Sequence, residues 1–236
     1  MMKLFKYVLW LIGLGLLIYL ITFPYEGTIR STEWLNLPLA NQVIVLDPGH
    51  GGMDGGAVGA DDTLEKDIAL TVSFYLRDYL QQAGATVYLT RESDRDLATE
   101  GTSGVSQRKV EDIKNRVVFM EEIDPDLFLT IHLNALPSNQ WRGAQTFYHP
   151  NRPDSKQLAE SIQAEIKTSL NNTNREALAI NSVYVLKHAN RPAALVEIGF
   201  LSHPEERELL KDTAYQDQMA ASVYYGILRY LSEVSE

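Results

Sequence analysis

From residue 42 onward, short apolar runs alternate with amphipathic stretches. Val43–Leu46 is a brief run rich in β-branched residues and predicts a buried strand. Leu127–Leu133 and Ala193–Ile198 have the same character and predict central strands; Thr86–Thr90, Ala144–Tyr148 and Ser182–Leu186 predict three more. Ile68, Val72, Tyr75, Leu76 and Tyr79 recur at helical spacing, which predicts a helix over Leu64–Gln82 stopped by Gly84. Arg108–Glu122, Asp154–Leu170 and Tyr215–Val234 read as helices, and Ser202-His203-Pro204-Glu205 reads as a capping box opening another. Residues 91–107 are polar and glycine-containing and predict a long exposed loop. Strands alternating with helices predict one α/β domain over 42–236, with a mainly parallel (mixed) central sheet flanked by helices on both faces.

The N-terminus breaks this pattern. Residues 1–6 form a basic tip with Lys3 and Lys6, and residues 7–23 carry no charge. That run is just long enough for a membrane-spanning helix, which needs about 20 apolar residues, and the lysines fit a cytoplasmic flank. A cleaved signal peptide and a buried core helix are the rival readings. No small-x-small site follows the run, and a core helix would not usually stand behind a basic tip, so an uncleaved anchor is expected. Residues 24–41, polar with Pro24 and Pro38, then read as a stalk. The domain beyond is expected on the extracytoplasmic side, with secretion after signal cleavage as the alternative.

Charge narrows the partners. The net charge is -10 across 236 residues, which argues against nucleic acid. There is no cysteine, so a metal would have to sit on His, Asp and Glu.

Candidate chemistry gathers at strand ends, where open α/β sheets bind ligands. Val43–Leu46 runs into Asp47-Pro48-Gly49-His50-Gly51-Gly52; the second strand delivers His132 and Asn134, the third Glu197. The glycines do not make a phosphate cradle: Asp54 stands where a dinucleotide motif needs its third glycine, and no Gly-Lys-Ser/Thr follows. Taken singly, His50 is an ordinary loop histidine, His132 a satisfied core histidine, and Glu65 an acid favoured by the start of its helix. Glu197 is harder to explain, because a carboxylate among apolar residues on a core strand needs a partner. Two histidines and two glutamates together match a catalytic zinc with three protein ligands, an open fourth position and a separate base. Asp47 is expected to orient His50 through its second ring nitrogen. Arg91 and Asn134 are candidate substrate contacts or supports behind the site. His149, His188 and His203 read as surface residues in turns.

VIVLDPGHGGMDGGAVG (43–59), Glu65-Lys66-Asp67, LTR (89–91), FLTIHLNA (128–135) and ALVEIGFLSHPEE (194–206) stand in the order found in zinc-dependent N-acetylmuramoyl-L-alanine amidases of the amidase-3 type. The resemblance extends over residues 42 to about 232. It implies His50, Glu65 and His132 on one Zn2+ and Glu197 as catalytic acid/base, with Gly51, Gly52 and Gly199 letting a glycan strand and its stem peptide approach. It implies hydrolysis of the amide between the lactoyl group of N-acetylmuramic acid and L-alanine in peptidoglycan. Resemblance to a sporulation branch of the family further implies stem-peptide removal ahead of muramic-δ-lactam formation in the spore cortex, at a membrane facing that cortex. Some relatives need an activating lipoprotein, so such a partner is expected as an option. Manganese or cobalt are alternative metals. Two other readings compete: a catalytically dead binding protein on the same fold, disfavoured because all four site residues are present, and a zinc carboxypeptidase or sugar deacetylase.

Overall fold

The computed structural model describes residues 2–22 and 37–234, in two units divided after residue 36. The first unit is α1 (Met2–Thr22), and its described side chains from Phe5 to Leu20 are mostly exposed apolar groups. Among the described residues no helix is long and apolar enough to cross a membrane. The expected span over 7–23 runs partly outside the described residues, which leave out residue 23 and the side chain at 21. The expected stalk lies outside the described residues as far as residue 36. Its last part belongs to the second unit, where Leu39 is fully buried and donates its N–H to Ala83 O at 2.9 Å.

The second unit is built on a six-stranded sheet. Its strands are β1 (Val43–Pro48), β2 (Thr86–Leu89), β3 (Leu127–Asn134), β4 (Gln145–Tyr148), β5 (Leu178–Ala179) and β6 (Ala193–Phe200), in the order β2-β1-β3-β6-β4-β5. β2, β1, β3 and β6 are parallel, and β4 runs antiparallel to β6. The helices are α2 (Glu65–Gln82), α3 (Val105–Ile123), α4 (Pro153–Leu170), α5 (Tyr184–His188), α6 (Pro204–Lys211) and α7 (Thr213–Val234). α2, α4 and α7 cover one face, over a core that includes Ile44, Leu46, Leu129, Ile131, Val196 and Ile198. α3 and α5 cover the other, over Val45, Phe128 and Leu195. The α/β class and the sheet flanked on both faces match the expectation.

Because side chains alternate along a strand, Asp47, Thr130, His132 and Glu197 share the α3/α5 face with Val45, Phe128 and Leu195. Register completes the alignment: Asp47 lies beside Thr130, and His132 beside Glu197. β3 thus carries two of these residues, Thr130 and His132, with Asp47 of β1 beside the first and Glu197 of β6 beside the second, all near the carboxyl rim.

Three local expectations change. Residues 184–188, overlapping the predicted strand Ser182–Leu186, form α5, with Val185 and Leu186 both buried against the sheet. These two side chains pack onto the sheet face beside Phe128 and Leu195 instead of extending the sheet. The N-cap of α6 is His203, whose ring nitrogen accepts from Glu206 N at 3.2 Å; the capping pair is one residue later than the Ser202–Glu205 reading. The loop 91–107 is not free, because Asp94 and Asp96 fold back over the glycine-rich segment.

Candidate active site

The glycine-rich loop after β1 presents His50 with φ 60, a left-handed conformation uncommon outside glycine. Two buried arginines hold it there. Arg91 donates to the carbonyls of Pro48 (3.1 Å), Gly49 (2.9 Å) and Lys66 (2.8 Å). Arg116, from α3, donates to those of Pro48 (2.8 Å) and His50 (2.6 Å) and to Asp47 at 2.5 Å. Arg91 is 1% exposed, so it supports the loop rather than touching substrate.

Glu65 opens α2 and bridges both histidines. One carboxylate oxygen lies 2.8 Å from His132 Nδ1 and accepts Leu133 N–H at 2.9 Å. The other lies 3.2 Å from His50 Nε2 and accepts Ala57 N–H at 2.6 Å. Burial alone raises a carboxyl pKa, but the two histidines outweigh it and hold Glu65 well below the usual range. For His50, burial works downward, and the carboxylates of Glu65 and Asp54 outweigh it to raise the imidazole. One ligand atom from each of His50, Glu65 and His132 lies within 4.8 Å of the others. Close approach requires two glycines that the sequence reading did not single out. A Cβ on Gly49 would drive into the His132 ring; one on Gly56 would stand 2.5 Å from Glu65 Oε2 and 2.6 Å from His50 Cδ2.

Glu197 faces this cluster from β6. Its Oε2 is buried and has no hydrogen-bond partner, and burial first of all, with Glu65 adding to it, pushes the carboxyl up to about 7. An orphaned carboxylate beside two imidazoles and a carboxylate is the donor arrangement that a zinc ion and a water would complete, so these residues fit zinc.

Several expectations need correction. Asp47 does not reach His50. It is buried against Arg116 and accepts from Thr90 (2.6 Å) and Thr130 (2.8 Å); burial raises its pKa, but those partners bring it below its usual value. The ring nitrogen of His50 instead meets Asp54 at 2.8 Å, and Asp54 also pairs with Lys109 at 2.9 Å. Where a Cβ would stand on Gly51, Gly52 and Gly199, Arg95, Asp96 and Glu206 of the same chain approach, so the missing side chains make room for the chain itself. His149 is buried at 7% exposure rather than on the surface. Asn134 ends β3 half-buried at the rim, beside the register shift that follows His132. A cavity of about 270 Å³ opens beside His50 and His132, bounded by Ile113, Val183, Tyr184 and Leu195 with Lys109 at its edge. The sequence reading missed Asp54, Arg116 and Lys109. Only Asp54 left a signal, as an acid interrupting a run of glycines.

Convergent imidazoles, a bridging carboxylate and a poised second carboxylate at a strand tip define the class of metal-assisted hydrolases. The chain matches the family described as N-acetylmuramoyl-L-alanine amidase (Amidase_3) over residues 44–229, and it belongs to that family. It is 46% identical over 233 residues to the germination-specific N-acetylmuramoyl-L-alanine amidase of Bacillus subtilis (strain 168), covering 99% of this chain and 98% of that protein. Its fold resembles the CwlD amidase from Clostridioides difficile, solved in complex with the GerS lipoprotein, with a TM-score of 0.80 and 41% identity over 82% of this chain and 100% of that one. It also resembles an N-acetylmuramoyl-L-alanine amidase from Clostridium difficile 630, with a TM-score of 0.71 and 30% identity over 81% of this chain and 97% of that one.

Proposed function

We propose that this amidase hydrolyses the amide between the lactoyl group of N-acetylmuramic acid and L-alanine, with His50, Glu65 and His132 holding one zinc ion. The observation that carries this reading is the buried, unpartnered Oε2 of Glu197 facing that cluster. Zinc, when bound, supplies a Lewis acid that lowers the pKa of water towards neutrality and polarises a carbonyl. Glu197, with a carboxyl near pH 7, is suited to take a proton at Oε2 from the attacking water and hand it to the leaving amine of alanine. Asp54 fixes the His50 ring, as ligating histidines usually require. Arg91 and Arg116 hold the loop so that the ring needs no reorganisation.

The wider role follows the germination-specific relative: removal of stem peptides in the spore cortex, ahead of muramic-δ-lactam formation. Its 99% coverage of this chain takes in most of the N-terminal segment. An uncharged run over 7–23 behind Lys3 and Lys6 supports a membrane anchor with the catalytic domain extracytoplasmic. The complex formed by the C. difficile relative supports a lipoprotein partner.

The test is digestion of purified peptidoglycan by the full chain, with zinc or with chelator, followed by mass spectrometry. Stem peptides beginning in L-alanine are expected with zinc, none with chelator, and none from Glu197→Ala that retains its zinc. Release that survives in that variant would remove Glu197 from the mechanism.

A further inference from the structure

The carboxyl rim carries a second group of side chains beside Glu197 that hydrolysis itself does not use. In the antiparallel β4–β6 pair, Gln145 is the register partner of Glu197. Their side chains share a face, with Cβ atoms about 5 Å apart. Gln145 Oε1 accepts from Arg175 Nη1 at 3.2 Å. The Arg175 guanidinium carbon lies 5.3 Å from the ring centre of Phe200, the last residue of β6, and 5.7 Å from that of Trp141, in the loop after β3. These contacts hold the guanidinium at the rim, one side chain away from Glu197.

Arg175 has no acid to answer it. Its Nε and Nη2 share the Arg142 carbonyl at 3.4 Å each, both long bonds. Nearby carboxylates are committed elsewhere. Glu176 pairs with Lys167, Glu205 faces Arg142 at 3.5 Å, and Glu206 accepts Gly143 N–H at 2.9 Å and Phe200 N–H at 2.8 Å. Among the described residues Arg175 makes no ion pair. In a chain of net charge -10, an arginine stacked on two rings and left without a carboxylate is a preformed anion seat. Trp141, 46% exposed, is its open wall.

We propose that Arg175, positioned by Gln145, Phe200 and Trp141, binds a carboxylate of the peptide on the amine side of the scissile bond. The inference rests on the amidase reading and narrows its substrate. Glu197 delivers its proton to the leaving amine, so the peptide attached to that amine emerges on the Glu197 side of the cluster, toward Gln145 and Arg175. Acidic stem peptides are then preferred over peptides amidated close to the scissile bond.

The experiment uses the zinc-loaded full chain and two soluble muramoyl peptides. They differ only in whether the residue after alanine carries a free carboxylate or a carboxamide. The wild type is expected to favour the acid by about 10- to 100-fold in kcat/KM, expressed mainly in KM. Arg175→Gln is expected to erase that preference by losing the acidic substrate alone, and Arg175→Lys to keep part of it. Thermal melting and zinc content establish that the variants are folded. Equal use of both peptides by the wild type, or an equal loss on both in folded Arg175→Gln, overturns the inference while leaving the amidase reading intact. If Arg175→Gln does not fold, the wild-type ratio and Arg175→Lys decide the matter. Failure of the wild type to cleave either peptide overturns the amidase reading itself.

Discussion

His50 occupies a left-handed backbone conformation that costs a non-glycine residue on the order of 1 kcal/mol. It persists because Arg91 and Arg116 fix the surrounding carbonyls from two sides. The same residue depends on Asp54 for its ring orientation. Asp54→Asn keeps the shape but loses the charge that holds the second ring nitrogen and pairs with Lys109. Its zinc affinity is expected to fall about 10- to 100-fold, measured by competition with a chromophoric chelator. Unchanged affinity would mean that the loop backbone alone aims His50. In the sequence this partnership was hidden, because Asp47 and Asp54 both flank His50. Only the path of the glycine loop shows that Asp54 faces the ring while Asp47 turns under the sheet face.

Among the elements, α3 is tied to β1 by charge as well as by packing. Arg116 is 3% exposed and links Asp47 on β1 with Asp112 on its own helix, at 2.5 and 3.0 Å. Removing one partner of such a buried network strands the others, so Arg116→Met is expected to cost about 3–5 kcal/mol near neutral pH. The pH dependence has a definite sign. Asp47 is held below its usual pKa in the native protein, so its stabilising share is present above the unfolded value of about 3.9 and is lost only as pH falls through the depressed folded value. In Arg116→Met the unpaired Asp47 escapes by protonating at higher pH. The gap between wild type and variant should therefore shrink on acidification, as urea titrations at pH 7 and pH 4 would detect. A gap that stays constant would assign the loss to packing instead of charge. The predicted helix Arg108–Glu122 carried no sign of this role, since an arginine on an amphipathic helix reads as surface until the opposing strand is known.

For the whole molecule, the acidic catalytic domain and the uncharged N-terminal run point to different surroundings. If residues 7–23 anchor the chain, the full-length protein should sediment with membranes and resist alkaline carbonate extraction. Deletion of residues 1–22 should move it to the soluble fraction with its zinc binding intact. Extraction of the full chain by carbonate would instead support cleavage or peripheral attachment. This experiment is independent of catalysis, because the residues of the site all lie in the second unit.

Sequence by itself determined the alternation of strands and helices, the tips at which chemistry gathers, and the four residues His50, Glu65, His132 and Glu197. His50, His132 and Glu197 stand out locally, as titratable groups interrupting a glycine-rich or apolar run, whereas Glu65 lies in a charged stretch and is picked out only together with the other three. Tertiary structure decided what lies around them. It made Val185 and Leu186 helical, packed onto the sheet face with Phe128 and Leu195. It gave the space beside Gly51, Gly52 and Gly199 to the chain itself, and it turned Arg91 and Arg116 into supports beneath the loop. It also placed Gln145, which accepts a hydrogen bond from Arg175, opposite Glu197 in an antiparallel register. Those assignments depend on partners far away in the chain, and a side chain's partner is settled by which elements pack together rather than by the residues that adjoin it.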